Sequence, residues 1–278
     1  MKIAITGHTG RLGGELWRRE LEPLMCDITV PQSVYQAVRN VKPDVIIHCA
    51  AFTDVDYCEG ENARKMVMDI NVNGLKNLRM AFDGKIVHIS TDYVFDGQKG
   101  PYHERSIANP ISVYGESKLA SEKVLLGDSR FDHPDDVVVR TTIFYGNTEK
   151  EDFVSKVIKH FSFYRDMPIK VTKSVSGSPT YIPHLADALI NIAERDTRYS
   201  AVINVAGREV YTRYEFALMI ANVFNYDPEM IKPTPKVPGV APRPKKAGLK
   251  TDYAEGMGIP IYSVHEGLED LYFKLNYV

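Results

Sequence analysis

The stretch Met1-Lys2-Ile3-Ala4-Ile5-Thr6-Gly7-His8-Thr9-Gly10-Arg11-Leu12-Gly13 carries the reading of the fold. Its first half is a short apolar run, read as a strand over 2–6. Its end opens an amphipathic segment, read as a helix over 11–20. Glycines at 7, 10 and 13 let the backbone between them turn tightly and bring amide groups and a helix N-terminus to an anion. The spacing is G-x-x-G-x-x-G, not the G-x-G-x-x-G of the common dinucleotide fingerprint. The turn alone therefore fits a pyrophosphate site and a plain strand-to-helix connection about equally well.

Beyond the turn, apolar β-branched runs read as strands over 44–50, 85–90, 136–144 and 201–205. Amphipathic segments read as helices over 31–41, 61–82 and 113–126, with Pro31 placed where a first-turn proline is tolerated. Strands alternating with helices define an α/β, doubly wound parallel sheet of Rossmann-like type. The short span from Trp17 to Ile28 leaves room for only a stunted second strand. After Gly146 the connections lengthen and prolines accumulate from Pro233 to Pro244, favouring extended chain. The expected organisation is a dinucleotide-binding domain at 1–146, with 201–206 returning to its sheet, and a smaller C-terminal lobe at 147–278 that mainly binds substrate.

Composition excludes several classes. With 278 residues, 44% hydrophobic and 25% charged, the chain can bury a sizeable core. A net charge of −2 without a basic tail does not call for nucleic acid or an anionic membrane as partner. The 3 cysteines, Cys26, Cys49 and Cys58, contain no Cys-x-x-Cys pair, which argues against both a disulfide framework and a zinc site. The first apolar run is too short for a signal peptide and none approaches a membrane span, so a soluble, cytoplasmic protein is expected.

Two further motifs carry chemistry. Tyr114-Gly115-Glu116-Ser117-Lys118 sets a phenol and an ammonium four residues apart, on one helix face. A cation near a tyrosine stabilises the phenolate and moves its pKa toward the working range of a general acid. In a chain with 16 tyrosines such a pair also arises by chance. Ser90-Thr91-Asp92 ends the strand read over 85–90, at the carboxyl edge where open α/β sheets bind ligands. Thr91 can hydrogen-bond a substrate carbonyl there; its plainer reading is a turn or helix cap.

These residues sit in a pattern that resembles the extended short-chain dehydrogenases/reductases and, within them, the dTDP-4-dehydrorhamnose reductases. The matching stretches are GHTGRLG (7–13), DIT (27–29), KPDVIIHCAAFTDVDYCE (42–59), NVNGLKNL (71–78), STDYVFDG (90–97), NPISVYGESKLASEKVL (109–125), RTTIFYG (140–146), GSPT (177–180) and APRPKKAGLKT (241–251). The resemblance implies reduction of the 4-keto group of a nucleotide-linked 4-dehydro-6-deoxysugar, first of all dTDP-4-dehydrorhamnose to dTDP-rhamnose. It implies Thr91, Tyr114 and Lys118 as catalytic residues and NADPH as coenzyme, with NADH possible. Gly7, Gly10, Arg11, Leu12 and Gly13 would meet the pyrophosphate. Asp27 and Ile28 would flank the adenine, and Ala50, Ala51 and Thr53 would line the cofactor cleft beside Tyr114 and Lys118. Asp92 and Tyr93 would join Thr91 at the sugar, with Arg243 at the nucleotide end.

Ile143 stands where that family usually has a tryptophan, which removes a flat stacking face and widens the choice of sugar. Arg18 or Arg19 is expected to meet a 2′-phosphate. His48 and His88 are expected to be core histidines, Glu15 a solvated acid, and no metal is expected. The chain is expected to be a monomer or homodimer, needing no nucleic acid or membrane. A second reading is a non-catalytic dinucleotide-binding regulatory subunit, because YTRYEFALMIANVFN (211–225) is similar to the methionine adenosyltransferase beta subunit.

Overall fold

The structure, a computed structural model, describes residues 1–127, 134–146, 150–164, 167–196 and 201–277. Residue 147, where the smaller lobe is expected to begin, lies outside the described residues.

Strands β1 (Ile3–Thr6), β2 (Glu22–Pro23), β3 (Val45–His48), β4 (Lys85–Thr91) and β5 (Val137–Thr141) join Ala201–Asn204 in one parallel sheet. Its order is Ala201–Asn204, β5, β4, β3, β1, β2. In β3 and β5 every residue is buried, as expected of strands covered on both faces. Alternation then sorts them into two cores. Ile5, Ile47, Val87 and Val139 pack with Leu185, Leu189 and Ile192 on one face. Ala4, Ile46, Ile86 and Val138 pack with Val34, Leu75, Leu78 and Leu125 on the other. Each buried Val, Leu or Ile among them stabilises the fold by about 1.5–3 kcal/mol. A third cluster, including Val154, Phe161, Phe216, Ile220 and Leu268, lies among the later helices.

Because β1 pairs with β2 on one side and β3 on the other, the chain reverses its winding between β1 and β3. That switch point opens a crevice at the carboxyl ends of those strands. The second strand is two residues long, and Asp27 lies beyond it in a turn.

Three boundaries differ from the sequence reading. The segment expected as one helix over 61–82 is Ala63–Met68, a π-helical turn Asp69–Asn73, and Gly74–Ala81. The turn sets buried Asn71 to exchange hydrogen bonds with the Phe52 backbone. The strand expected over 136–144 stops at Thr141. Ile143 has φ +46°, and Phe144–Tyr145 then pairs with Thr180–Tyr181 in a separate two-stranded sheet. A β-branched residue at positive φ is costly and persists only where packing imposes it. Finally, helix α1 (Arg11–Arg18) ends two residues early, at Arg19 and the positive-φ residue Glu20.

Candidate active site

The glycine turn is built by close contact. Gly7 has φ +69°, and a Cβ there would lie 2.8 Å from the backbone N and Cα of Ala50. A Cβ on Gly13 would lie 2.1 Å from the Gly7 carbonyl oxygen. Gly10 caps α1 without a side-chain bond, so the first amides of the helix face the crevice. This is a cradle that side chains would fill, and it fits a dinucleotide pyrophosphate.

Three cavities adjoin the turn. One, of about 710 Å³, is lined by Gly7, Asp27, Ile28 and Ala50, with His8 and Lys65. A second, of about 360 Å³, brings Gly10, Arg11, Leu12 and Gly13 together with Ala51, Thr53, Thr91, Asp92, Tyr93, Tyr114, Lys118 and Ile143. A third, of about 880 Å³, holds Arg243 and shares Arg11, Thr53 and Tyr93 with the second.

Local sequence explains the placement. Ser112 caps the helix Val113–Leu126 by accepting from the Gly115 N–H at 3.2 Å. Gly115 lets that helix approach the turn Asp92–Val94, since a Cβ would lie 2.2 Å from the Tyr93 carbonyl. Tyr114 is thereby brought edge-on to Tyr93, with ring centroids 5.6 Å apart. Thr91 both lines the second cavity and acts as a cap, accepting from the Tyr93 N–H at 3.3 Å.

The electrostatics depart from the simple phenol–ammonium picture. Burial pushes the Tyr114 phenol well above its usual range, and Thr91, not Lys118, is the group that most favours its ionised form. Lys118 is buried, with its Nζ 3.3 Å from His88 Nε2, and burial lowers its pKa to about 8. Tyr114 is thus held protonated. Burial raises buried Asp92 to about 6, against hydrogen bonds from Thr142 and Thr91 and the charge of Arg213.

Other expectations resolve as follows. The rings of His48 and His88 stack at 5.3 Å inside the core, His48 Nδ1 lying 2.7 Å from Thr6 Oγ1. Among the described residues no group of three or more His, Cys, Asp or Glu is placed to hold a metal. Glu15 is paired with Arg18 and Arg19. Arg19 also engages Asp187 and the Pro183 carbonyl, and neither arginine lines the cavity beside Asp27, so the expected 2′-phosphate contact is not formed by this placement. Asp27 accepts from the Thr29 N–H and hydroxyl at 2.9 and 2.7 Å, which holds its carboxyl below the usual range.

Two residues escaped the sequence reading. Asp56 accepts from both terminal guanidinium nitrogens of Arg243, Nη1 at 3.0 Å and Nη2 at 2.7 Å, and that pairing holds its carboxyl well below the usual range. Arg213 lines the second and third cavities. A Thr212–Glu215 capping box marks the start of its helix in the sequence, yet nothing local says which cavity that start meets.

A doubly wound α/β sheet with a glycine cradle at its switch point, facing a tyrosine and a lysine one helical turn apart, defines a dinucleotide-binding protein of the reductase kind. The family described as "RmlD substrate binding domain" matches residues 1–276. A dTDP-4-dehydrorhamnose reductase of Mycobacterium tuberculosis is 32% identical over 90% of this chain and 85% of its own length. The methionine adenosyltransferase 2 subunit beta of Danio rerio is 29% identical over 94% and 86%. Among solved structures, a Bacillus anthracis dTDP-4-dehydrorhamnose reductase in complex with NADP is 30% identical, with TM-score 0.86 over 99% of this chain and all of that one. This chain belongs to the RmlD family of extended short-chain dehydrogenases/reductases. Among the described residues no helix is long and apolar enough to cross a membrane.

Proposed function

We propose that the chain reduces the 4-keto group of a nucleotide-linked 4-dehydro-6-deoxysugar, dTDP-4-dehydrorhamnose before others, using NADPH, with NADH as the second choice. The observation that carries this reading is one cavity lined jointly by the glycine turn and by Thr91, Tyr114 and Lys118. A reduced nicotinamide supplies a hydride for C4. Tyr114 donates its phenolic proton to the C4 oxygen, and Thr91 holds that oxygen by a hydrogen bond. Lys118 would hold a ribose hydroxyl of the coenzyme, its ammonium lying in the same cavity as the phenol. Asp92 and Tyr93 contact the sugar, and Arg243 lies toward the nucleotide.

In this reading residues 1–146, with 201–206, hold the dinucleotide: Gly7, Gly10, Arg11, Leu12 and Gly13 at the pyrophosphate, Asp27 and Ile28 at the adenine, Ala50, Ala51 and Thr53 along the cleft. Residues 147–278 mainly bind substrate. The NADP of the Bacillus anthracis relative supports the coenzyme choice. The reaction belongs to deoxysugar supply for polysaccharide biosynthesis in the cytoplasm, by a monomer or homodimer without a metal.

The test is loss of NADPH absorbance with dTDP-4-dehydrorhamnose, set beside UDP-, GDP- and CDP-linked 4-keto-6-deoxyhexoses, with the product assigned by NMR. Absence of turnover with every sugar, together with co-purification with an adenosyltransferase, would favour the regulatory-subunit reading, to which the 29% identity with the Danio rerio subunit lends weight.

A further inference from the structure

Arg213 begins the helix Arg213–Val223, behind the Thr212 cap, and its own N–H bonds to the Val175 carbonyl at 3.0 Å. The partly buried guanidinium lies over the Phe153 ring, 5.2 Å from its centroid. Among the described residues it has no hydrogen bond or ion pair, although Asp92 and Tyr93 are near enough for their charges to be felt. The other arginines of the interior are committed. Arg79 pairs with Asp136, Arg140 with Glu122, and Arg243 with Asp56. A guanidinium has five donors in a fixed fork that matches phosphate oxygens, and leaving it unpaired away from bulk water costs free energy.

Its location limits what the partner can be. Arg213 belongs both to the cavity that holds Tyr114 and to the wider cleft that holds Arg243. The other cation common to both is Arg11, which sits in the first turn of α1 beside the glycine cradle. A sugar whose C4 lies at Tyr114 carries its diphosphate on C1, across the ring, and must pass that group from the cavity that holds Tyr114 to the cleft that holds Arg243.

We infer that Arg213 receives the phosphate adjoining the sugar of a nucleoside-diphosphate sugar, and thereby sets how far the sugar reaches toward Tyr114. This rests on the nucleotide-sugar reading above. Arg213 is then a specificity-determining residue: it recognises a sugar carried on a diphosphate and not a free sugar. The pyrophosphate of the dinucleotide is the other source of the same chemistry, and the test separates the two.

The experiment is titration calorimetry of dTDP into protein saturated with NADP⁺, and of NADP⁺ into the protein alone, for the wild-type chain, Arg213→Gln and Arg213→Lys. Arg213→Gln is expected to weaken dTDP about 10- to 100-fold, the worth of a charged hydrogen-bonding fork, and to leave NADP⁺ affinity unchanged. Arg213→Lys should recover part of that loss, since an ammonium keeps the charge without the fork. It also carries the test if the glutamine variant does not fold. Unchanged dTDP affinity in both variants overturns the inference, as does a loss that falls on NADP⁺ instead. If wild-type protein binds none of dTDP, UDP, GDP and CDP, the nucleotide-sugar reading itself falls and the inference goes with it.

Discussion

Around Gly7 and Gly13 the backbone touches backbone, with no room for a Cβ on either residue. Around Ile143 and Arg213 the cavity is shaped by a side chain held at φ +46° and by a guanidinium that lies over Phe153 and, among the described residues, has no hydrogen bond or ion pair. The first region is complete as folded: its amides are aimed by the turn and by α1, whatever side chains surround it. The second is made of individual side chains whose conformations and charges are set by distant segments. A dinucleotide cradle can therefore be shared by many proteins of one fold, while the sugar end decides what each of them acts on.

Substitutions in the two regions should fail in different ways. The largest effect is expected at the chemistry that joins them. Tyr114→Phe should lower kcat by about 100-fold or more while NADP⁺ still binds, as loss of a general acid requires; turnover near the wild-type rate would remove Tyr114 from the mechanism. In the cradle, Gly13→Ala forces a methyl against the Gly7 carbonyl. It should cost about 1–3 kcal/mol of stability and most of the NADP⁺ affinity, measured by urea unfolding and calorimetry. Unimpaired NADP⁺ binding in a folded Gly13→Ala protein would break the contrast, because the cradle would then tolerate side chains.

Asp92 sharpens the comparison through pH. Its carboxyl titrates near 6 when folded against 3.8 for the ordinary group, chiefly because it is buried. The folded chain therefore binds the extra proton between these values. The charged form costs stability in full above pH 6, and the cost fades as pH falls from 6 to 4 and is gone below that. Asp92→Asn should stabilise the protein by about 2–3 kcal/mol at pH 7 and by little at pH 4. Equal effects at the two pH values in urea titrations would show that burial does not set this pKa.

At the outer end of the cleft, Arg243→Gln should raise the substrate KM by about tenfold and lower kcat less. An unchanged KM would confine Arg243 to its pair with Asp56. The smallest change is expected from Ile143→Gly. Relief of positive-φ strain, about 1–3 kcal/mol, offsets lost packing of similar size, so thermal stability should move by only about 1 kcal/mol. A loss of several kcal/mol would mean that the conformation at Ile143 carries little strain.

Much of the sheet was legible in the chain. Strands read over 2–6, 44–50, 85–90 and 201–205 lie within a residue or two of Ile3–Thr6, Val45–His48, Lys85–Thr91 and Ala201–Asn204. Continuous apolar runs are what two-sided burial demands. The helix over 113–126 was legible too, and with it the shared face of Tyr114 and Lys118. Less was legible where one segment imposes a conformation on another. The π-helical turn at Asp69–Asn73 leaves the hydrophobic period nearly intact. The φ of Ile143 opposes its own β-branched preference. Arg18 and Arg19 look like free cations in the sequence and are consumed by Glu15 and Asp187 in the fold.

Residue order alone determined the alternation of strands and helices, the glycine-lined turn between β1 and α1, and the phenol and ammonium one helical turn apart. These follow from local periodicity and steric freedom, which neighbouring residues carry with them. Only the tertiary structure decided that Asp56 closes on Arg243 from 187 positions away, that His88 and not Tyr114 meets the Lys118 ammonium, and that Arg213 stands open between two cavities. Such pairings depend on which charges and rings the packed sheet and helices bring within reach, and burial then sets their strength. No local pattern encodes that outcome.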